Sequence, residues 1–401
     1  MKSLVPLKRY VDPTRPITYG IVQAGPDVPD GVPYIRPVDM DSHSGIPDVS
    51  QLRTTSREIA SQYRRSAVRS GDLIVSIGPS YGKTMIVPTT LDGANLTQGT
   101  ARVAPAAGVE VRFLRWAVQG TSAVDFWNTA VGGATFRALN LEPLALTPIP
   151  WRSPADQRAI ADYLDAETAR IDALIEKKRR MVEVLSERLR FVVRDLTTGR
   201  GELVPLRRVV RQIKTGTTPP ADESARLQHG PVPWYSPGDV EDWTQLGPAA
   251  RTLSFEAILQ GWVPRFPANS TLVVGIGATA GRVAHLESEG SGNQQMTCVT
   301  PGPTVIPRFL SWQLFARADE LQATAPFTTL PILNNDFLAS VPFYLPGIQE
   351  QLEVVDHLEE QTSRTRQLCL LLDRQIAALD EYRQAAITAA VTGAIVAGAA
   401  A

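Results

Sequence analysis

Cysteine and histidine are scarce in this chain, and neither is grouped. The 401 residues include two cysteines, Cys298 and Cys369, which lack metal-ligand spacing. The histidines form no HxxxH pair and no cluster with cysteine; they are His43, His229, His285 and His357. We therefore predict no zinc site and favour a reducing compartment over a disulfide-bonded scaffold.

The chain also lacks a basic excess and a long hydrophobic run. Its formal net charge is −1, so phosphate binding would depend on local patches or on a partner's charge. The start, "MKSLVPLKRYVDPTRP", has no apolar core of a signal peptide. The uncharged end, "AAITAAVTGAIVAGAAA", contains Thr388, Thr392 and Gly393 and predicts a helix end with a tail. We expect a cytoplasmic protein without membrane association.

An internal duplication is the most informative feature of the sequence. Five segments recur in the same order, with offsets that shrink from 199 to 196 to 194 residues. The pairs are "VPLKRYV" with "VPLRRVV" (offset 199), "GVPYIRPVDM" with "GPVPWYSPGDV", "GDLIVSIGPSYGKTMIV" with "NSTLVVGIGATAGRVAH" (199), "LTQGTARVAP" with "GNQQMTCVTP" (196), and "LTPIPWRSPADQRAIADYLD" with "SVPFYLPGIQEQLEVVDHLE" (194).

Each copy consists of a globular part followed by a long helix. The globular parts are rich in Gly and Pro, and short β-branched runs such as "DLIVSI" and "TLVVGI" predict mostly β domains. Short helices are expected at 109–119 and 305–317. The predicted fold class is α+β, with pseudo-twofold duplication and two antiparallel helices between similar domains. The predicted boundaries are 1–150, 151–200, 201–345 and 346–401.

The first helix has the apolar spacing of a coiled coil. Ser153 and Pro154 predict its start and Gly199 its end, a length of roughly 66 Å at about 1.5 Å per residue. Ten positions follow strict 4–3 spacing and eight are apolar. The predicted seam includes Leu164, Ile171, Ile175, Val182, Leu185 and Leu189.

The second helix, predicted at about 348–391, has a looser seam. It passes through Leu358, Leu368, Leu372, Ile376 and Leu379. A lone amphipathic rod would leave its apolar stripe in water, so the simplest partner of each helix is its copy. Antiparallel packing would make the pair a spacer between two similar globular parts.

Several motifs resemble those of the specificity subunit of type I restriction–modification systems. They are the helix starts "PIPWRSPADQRAIADYLDAETARIDALIEKKRRM" and "PFYLPGIQEQLEVVDHLEEQT", and the segments "ITYGIVQAGPDVPDGVPYIRPVDM", "IKTGTTPPADE" and "GPVPWYSPGDV". Together with the duplication, the resemblance covers essentially the whole chain.

This resemblance implies a function and a set of partners. In that family each globular part is a target recognition domain that reads one half of a bipartite sequence of double-stranded DNA. The long helices set the gap between the halves and bind two adenine methyltransferase (modification) subunits, which restriction subunits join. The chain itself would hold no cofactor; S-adenosylmethionine would belong to the methyltransferase, and ATP and Mg to a restriction subunit.

Two glycine-rich turns are similar to nucleotide-binding loops but lack their context. "GPSYGKT" (78–84) has one residue too few for a P-loop, and its duplicate "GATAGRV" lacks the Lys-Thr pair. "GIGATA" (275–280) fits a dinucleotide fingerprint. Each turn precedes a predicted strand, "MIVP" or "VAHL", where both motifs require a helix. We predict a repeated β turn.

No catalytic constellation recurs in both halves. The sequence contains no methyltransferase Asn/Asp-Pro-Pro-aromatic motif, and the nearest string, "TPPAD" at 218–222, lacks the amide and the aromatic residue. The chain is therefore predicted to be non-catalytic.

Candidate DNA contacts are polar and aromatic residues in turns that occur in both copies, because such side chains bind base edges and phosphates. The candidates are Tyr19, Gln23, Arg36, Tyr81, Lys83 and Gln98 in the first copy, and Lys214, Thr217, Thr218, Tyr235, Arg282, Gln294 and Gln295 in the second. Tyr34 and Trp234 are candidates too, with a core position as the alternative. "YRRSAVR" (63–69) is either a phosphate patch or a solvated helix face.

Two other classes of function stay open at this point. The chain is a duplicated coiled-coil adaptor for protein or glycan ligands in one alternative. In the other it is a nucleotide-dependent enzyme built on the glycine turns.

Overall fold

The computed structural model describes residues 3–41, 45, 48–131, 138–220, 228–324 and 331–395. The chain forms two compact units. The first unit consists of Met1–Lys177 with Arg374–Ala401, and the second of Lys178–Asp373. Each unit thus contains one globular part and one half of each long helix.

The first unit contains nine strands in the part of the chain that is described. Its strands are Leu4–Pro6, Thr18–Tyr19, Val32–Ile35, Thr54–Thr55, Leu73–Ser76, Thr84–Ile86, Asn95–Leu96, Thr100–Val103 and Pro148–Pro150. Its short α-helices are Arg57–Gln62, Val111–Gln119, Thr121–Ala130 and Leu141–Leu146, and its 3₁₀ helices are Leu7–Tyr10, Val49–Gln51, Arg64–Ser66 and Thr89–Leu91.

The second unit repeats this composition. Its strands are Glu202–Pro205, Val210–Thr215, Gln228–Tyr235, Arg251–Leu253, Ser270–Val274, Val283–Leu286, Ser291–Gly292, Met296–Pro301 and Pro342–Leu345. Its short helices are Phe255–Leu259, Pro307–Ala316, Ala318–Thr324 and Asn335–Ser340, and its 3₁₀ helices are Leu206–Arg208 and Pro237–Asp239. The predicted short helices at 109–119 and 305–317 are confirmed to within two residues at each end.

The strands join in the same order in both units. In the first unit the four-stranded sheet runs 18–19, 100–103, 73–76, 84–86; in the second it runs 210–215, 296–301, 270–274, 283–286. Each unit adds a three-stranded sheet whose central strand pairs antiparallel on one side and parallel on the other. A two-stranded ribbon completes each unit. The α+β class and the duplication are therefore confirmed.

In the duplicated hairpins, the structural alignment of the first strand differs by one residue from the alignment that the sequence predicted. Ile77 and Gly275 each accept a hydrogen bond from a leucine, Leu139 or Leu333, so the first strand repeats at an offset of 198. The second strand repeats at 199, because Val75 pairs with Thr84 and Val273 with Val283. The offset of 199 predicted for the whole segment was wrong for its first strand. The extra residue lies in the turn, where the glycine pattern hid it.

Both glycine-rich turns lead into strands, Thr84–Ile86 and Val283–Leu286, as predicted. A phosphate-binding loop presents its amides from the first turn of a helix. Each turn instead connects two antiparallel strands of a hairpin.

The long helices are Pro154–Thr197 and Ile348–Thr392. Ser153 caps the first helix, since its Oγ accepts from the Asp156 amide at 3.2 Å. Gly199 and Gly393, just past the ends of the two helices, have φ of +75°, a conformation that favours glycine.

Both helices contribute to the core of each unit. In the first unit Leu164 packs with Ile387 and Val391; in the second Leu189 and Val193 pack with residues of the second helix that include Leu358. Within each unit the early part of one helix lies beside the late part of the other, as antiparallel packing requires.

None of the ten seam positions of the first helix is exposed, and Leu164, Ile171 and Ile175 are at most 2% exposed. After Leu189 the buried line continues through Val193 and Thr197, every fourth residue. A spacing of four residues is typical of a helix that packs on a globular core, whereas strict heptad spacing is typical of two paired helices.

The seam of the second helix differs from the prediction at one position. Leu358 and Leu372 are buried, and Ile376 and Leu379 are half-buried. Leu368 is 48% exposed, and the neighbouring Cys369 is 7% exposed. The prediction of Leu368 as a seam residue was wrong. It followed the more hydrophobic side chain, whereas the helical period places Cys369 at the buried position.

Candidate nucleic-acid interface

A glycine at the end of the first strand of the main sheet shapes each unit. A Cβ on Gly20 would lie 1.9 Å from the Leu96 carbonyl oxygen, and one on Gly216 would lie 2.1 Å from that of Gly292. Only glycine permits this approach. The chain then crosses to the neighbouring sheet. There the Ile21 amide donates to the Leu96 carbonyl at 2.7 Å, and the Thr217 amide donates to the Gly292 carbonyl at 3.0 Å. The motifs "TYG" and "KTG" thus place the predicted side chains at one sheet edge in each unit.

In the first unit this edge borders a cleft of about 650 Å³. Tyr19, Arg36 and Gln98 line it, together with Tyr34. Tyr19 is 45% exposed and Gln98 is exposed, whereas Tyr34 is buried and forms the floor. The cleft therefore presents an aromatic ring and an amide to solvent.

Arg36 is held in place beside the cleft. Its Nη2 lies 2.6 Å from one oxygen of Asp39, and its Nε donates to the other at 2.9 Å. Asp39 raises the pKa of the Arg36 guanidinium above its usual range, mainly through these hydrogen bonds. A fixed guanidinium half-exposed at a cleft wall is suited to bind guanine or phosphate.

In the second unit the predicted residues form a hydrogen-bonded group. Thr217 Oγ1 donates to the Trp262 carbonyl at 2.6 Å, and Thr218 Oγ1 donates to Gln294 Oε1. The Gln295 amide donates to Asn293 Oδ1 at 2.9 Å. Thr217, Thr218 and Gln294 are exposed, so this face offers hydroxyls and an amide to solvent.

Gln98 and Gln294 occupy equivalent places. Both are exposed, and each stands two positions before the strand Thr100–Val103 or Met296–Pro301, at the crossing just described. Their offset of 196 matches that of the paired strands. An exposed glutamine thus stands at the same point of both units.

Other predicted contacts lie apart from these two faces or are already bonded within the protein. Lys83 Nζ donates to the carbonyls of Pro37 (3.2 Å) and Met40 (2.8 Å), so it holds the loop that carries Arg36. Tyr81 donates to Asn128 Oδ1 at 2.8 Å. Gln23 is exposed beyond the cleft, Lys214 is exposed on its strand, and Arg282 is 3.9 Å from Asp242.

Tyr235 and Trp234 are core residues. Tyr235 is 8% exposed and packs with Val240 and Phe266; burial raises the pKa of its hydroxyl. Trp234 is 7% exposed and donates to the Thr217 carbonyl. The structure does not offer the Tyr235 ring as a contact surface, because both faces of this strand are buried in hydrophobic clusters.

The "YRRSAVR" segment forms the 3₁₀ helix Arg64–Ser66 and its continuation. Arg64, Arg65 and Arg69 are exposed, and within 63–69 only residues 64–66 are helical. The supporting residue that sequence reasoning missed is Arg102. It is 4% exposed and donates to the carbonyls of Arg65 and Ala67. Its only sequence signal is an arginine within a strand of apolar residues.

Among the described residues, no group of three or more His, Cys, Asp or Glu side chains is placed to hold a metal ion. No helix in the described ranges is long and apolar enough to cross a membrane.

Comparisons with known proteins place this geometry in context. Residues 209–368 match the family described as "Type I restriction modification DNA specificity domain". The chain is 31% identical over 173 residues to the EcoBI type I restriction enzyme specificity subunit of Escherichia coli, covering 43% of this chain and 36% of that protein. It is 24% identical over 166 residues to the EcoR124I/EcoR124II specificity subunit of Escherichia coli, covering 40% and 41%.

A solved chain, described in work on complex assembly and conformational transition of the type I R-M system, has the same fold. It aligns with a TM-score of 0.73 and 17% identity over 98% of both chains. The sequence alignments span well under half of the two curated relatives. Together these comparisons confirm the resemblance on which the sequence interpretation relied.

Proposed function

We propose that this chain, whose residues 209–368 match the type I restriction modification DNA specificity domain, is the DNA-recognition subunit of such a system. Each unit would read one half of a bipartite target in double-stranded DNA. The single observation that carries this proposal is the repeated sheet edge with an exposed glutamine, Gln98 or Gln294, beside the glycine crossing.

The chemistry of the two faces supports base reading. A glutamine amide pairs with the N6 and N7 edge of adenine, and arginine pairs with guanine. The first unit presents Gln98 with Arg36 and Tyr19, whereas the second presents Gln294 with Thr217 and Thr218. Because the side chains around the shared glutamine differ, the two half-sites are expected to differ in sequence.

Catalysis would belong to partner subunits. We infer that this chain positions two adenine methyltransferase subunits on the DNA, with S-adenosylmethionine bound by them. A restriction subunit, where present, would supply ATP-dependent and Mg-dependent cleavage. The complex would act in the cytoplasm.

The long helices offer a surface for the methyltransferase. Met181, Val184 and Phe191 are 47%, 55% and 69% exposed, and their spacing of three and seven residues places them on one face of the first helix. Apolar side chains repeated along one exposed helix face are typical of a protein-binding surface. We further infer that the helices act as the spacer that fixes the gap between half-sites.

Sequencing of modified bases in the host genome tests this function. Deletion of the gene for this chain, with the methyltransferase gene intact, is expected to abolish N6-methyladenine at one bipartite motif. Re-expression of the chain should restore it. An unchanged methylation pattern after deletion would contradict the proposal.

A further inference from the structure

Three exposed arginines form a basic ridge on the first unit: Arg64, Arg65 and Arg69. None of them forms an ion pair with a described residue, unlike Arg15, which binds Asp72 through both nitrogens at 2.8 and 2.6 Å. Three arginines within six residues repel one another, and such a cluster attracts an anionic partner even though Asp92 lines the same groove.

The backbone beneath the ridge is held rigidly. The buried Arg102 guanidinium donates to the carbonyls of Arg65 (2.5 Å), Ala67 (2.9 Å) and Pro16 (3.3 Å). Ser66 Oγ, which is buried, donates to Asn95 Oδ1 at 2.6 Å. The Arg69 amide donates to Asp72 at 2.7 Å. The ridge is therefore a preorganised surface, which reduces the entropy that binding would cost.

The ridge is continuous with the cleft that holds Tyr19 and Gln98. Arg64 and Arg65 line two adjacent grooves of about 610 and 490 Å³. The second groove also contains Tyr19, which lines the 650 Å³ cleft as well. A ligand that lies along the ridge would reach the predicted base-reading side chains without a break.

The equivalent segment of the second unit, which the structure describes, has no such ridge. Val68 and Phe266 are equivalent, because the Val68 amide donates to the Ala94 carbonyl and the Phe266 amide to the Gly290 carbonyl. This alignment places Trp262, Val263 and Pro267 at the positions of Arg64, Arg65 and Arg69. Arg265, the one cation in this stretch, is paired with Glu289. Cys298 stands where Arg102 lies in the first unit, since they occupy equivalent strand positions.

We infer that Arg64, Arg65 and Arg69 form a site for the phosphate backbone of DNA. The first unit would then supply most of the electrostatic contribution to DNA affinity, and the second unit would bind its half-site with little electrostatic contribution. This inference rests on the proposed function. Phosphates spaced along one strand match a ridge of arginines better than a single anion would, and arginine binds phosphate through paired N–H donors.

Salt dependence of DNA binding by the full-length chain tests this site. Fluorescence anisotropy would follow binding to a labelled target duplex and to a random duplex over a range of KCl concentrations. In Arg64→Gln/Arg65→Gln/Arg69→Gln, the slope of log K against log[KCl] is expected to become shallower by about 2 to 3, since each neutralised phosphate contributes about 0.9. Affinity should fall equally for both duplexes, because phosphate contacts carry no base sequence.

The matched control is Arg207→Gln/Arg208→Gln/Arg211→Gln, which removes three exposed arginines, and so the same charge, from the second unit. Its slope should stay at the wild-type value. Melting temperatures would show that both variants fold. A triple variant of the ridge with a wild-type slope overturns this inference, and so does an equal loss in the control. A wild-type chain that binds neither duplex overturns the proposed function itself.

Discussion

Two buried glutamines, Gln157 and Gln351, join the first turn of each long helix to its globular part. Gln157 Oε1 accepts from the Glu110 amide, and Gln351 Oε1 accepts from the Ile306 amide at 2.8 Å. Each Nε2 donates to the carbonyl five residues earlier, on Arg152 or Pro346. The same side chain thus satisfies the same orphaned backbone groups in both copies.

We predict that Gln351→Leu lowers the free energy of unfolding by about 2–3 kcal/mol, because it leaves the Ile306 amide and the carbonyls of Thr304 and Pro346 unpaired. Urea unfolding followed by tryptophan fluorescence would measure this. Gln349→Leu is the control, since Gln349 is exposed two residues away and should change stability by less than about 0.5 kcal/mol. Equal losses in the two variants would contradict this role for Gln351.

A buried histidine gives the second unit a dependence on pH. His285 is 5% exposed, and its Nδ1 lies 3.0 Å from Ser311 Oγ. Burial, aided by the charge of Arg308, lowers the pKa of His285 to about 4. Protonation therefore favours the unfolded chain, whose histidine has a pKa of about 6.5.

The stabilisation that neutral His285 provides is expected to be complete above pH 6.5 and to be lost as the pH falls from 6.5 towards 4. Over this window the loss is at most about 1.4 kcal/mol per pH unit. His285→Gln should flatten this dependence, whereas His357→Gln, at an exposed position of the second long helix, should not. Denaturant unfolding at pH 7.5, 6.0 and 5.0 would measure both; an unchanged slope in His285→Gln would disprove the assignment.

At the scale of elements, the long helices were the most predictable part of the chain. Cap residues and heptad spacing indicated bounds that the structure places at Pro154–Thr197 and Ile348–Thr392. Two details escaped prediction because they depend on tertiary packing. Cys369 is buried in place of Leu368, and the buried line shifts to Val193 where the helix meets a globular core.

The far ends of these helices are fixed by side chains that differ between the copies. Arg152 Nη2 donates to the Val391 carbonyl at 2.7 Å, whereas Gln313 Nε2 donates to the Thr197 carbonyl at 2.8 Å. The same backbone requirement is met from different positions, since the last carbonyls of any helix need a donor. Sequence repetition alone could not reveal this equivalence.

The exposed face of the first helix leads to a prediction about partner binding. Met181→Glu/Val184→Glu/Phe191→Glu is expected to weaken binding of the methyltransferase subunit by at least about tenfold, because it places charge on an apolar interface. Analytical ultracentrifugation of the mixed subunits would measure the complex.

Glu183→Ala/Arg190→Ala is the matched control, because both residues are exposed neighbours on the same helix. It should bind as the wild type does, and circular dichroism should show full helix content for both variants. Unimpaired binding by the triple variant would exclude this face as the docking surface.

For the whole molecule, the duplication predicted the architecture but only part of the candidate site. Segments that recur in the same order predicted two similar units, and the structure shows the same strand order in both. The exposed Gln98 and Gln294 could be found from the sequence because they repeat. Lys83 and Tyr235 could not be told apart from exposed DNA contacts by residue type alone. The structure shows that Lys83 is bonded to two carbonyls and that Tyr235 is buried in the core. Burial and internal bonding depend on contacts that no local spacing encodes.

If the proposed function is right, the duplication predicts that each unit recognises its half-site independently. Residues 1–150 end just before the first long helix, so their replacement keeps both helices and the second globular part. The halves of a target should therefore be exchangeable one at a time.

The most direct measurement of this claim is the methylation pattern of a host that expresses a chimaera. Residues 1–150 would be replaced by the equivalent part of another specificity subunit, and modified adenines would be mapped across the genome. The expected result is a bipartite motif in which one half changes and the other half stays the same. A change in both halves, or in neither, would contradict it.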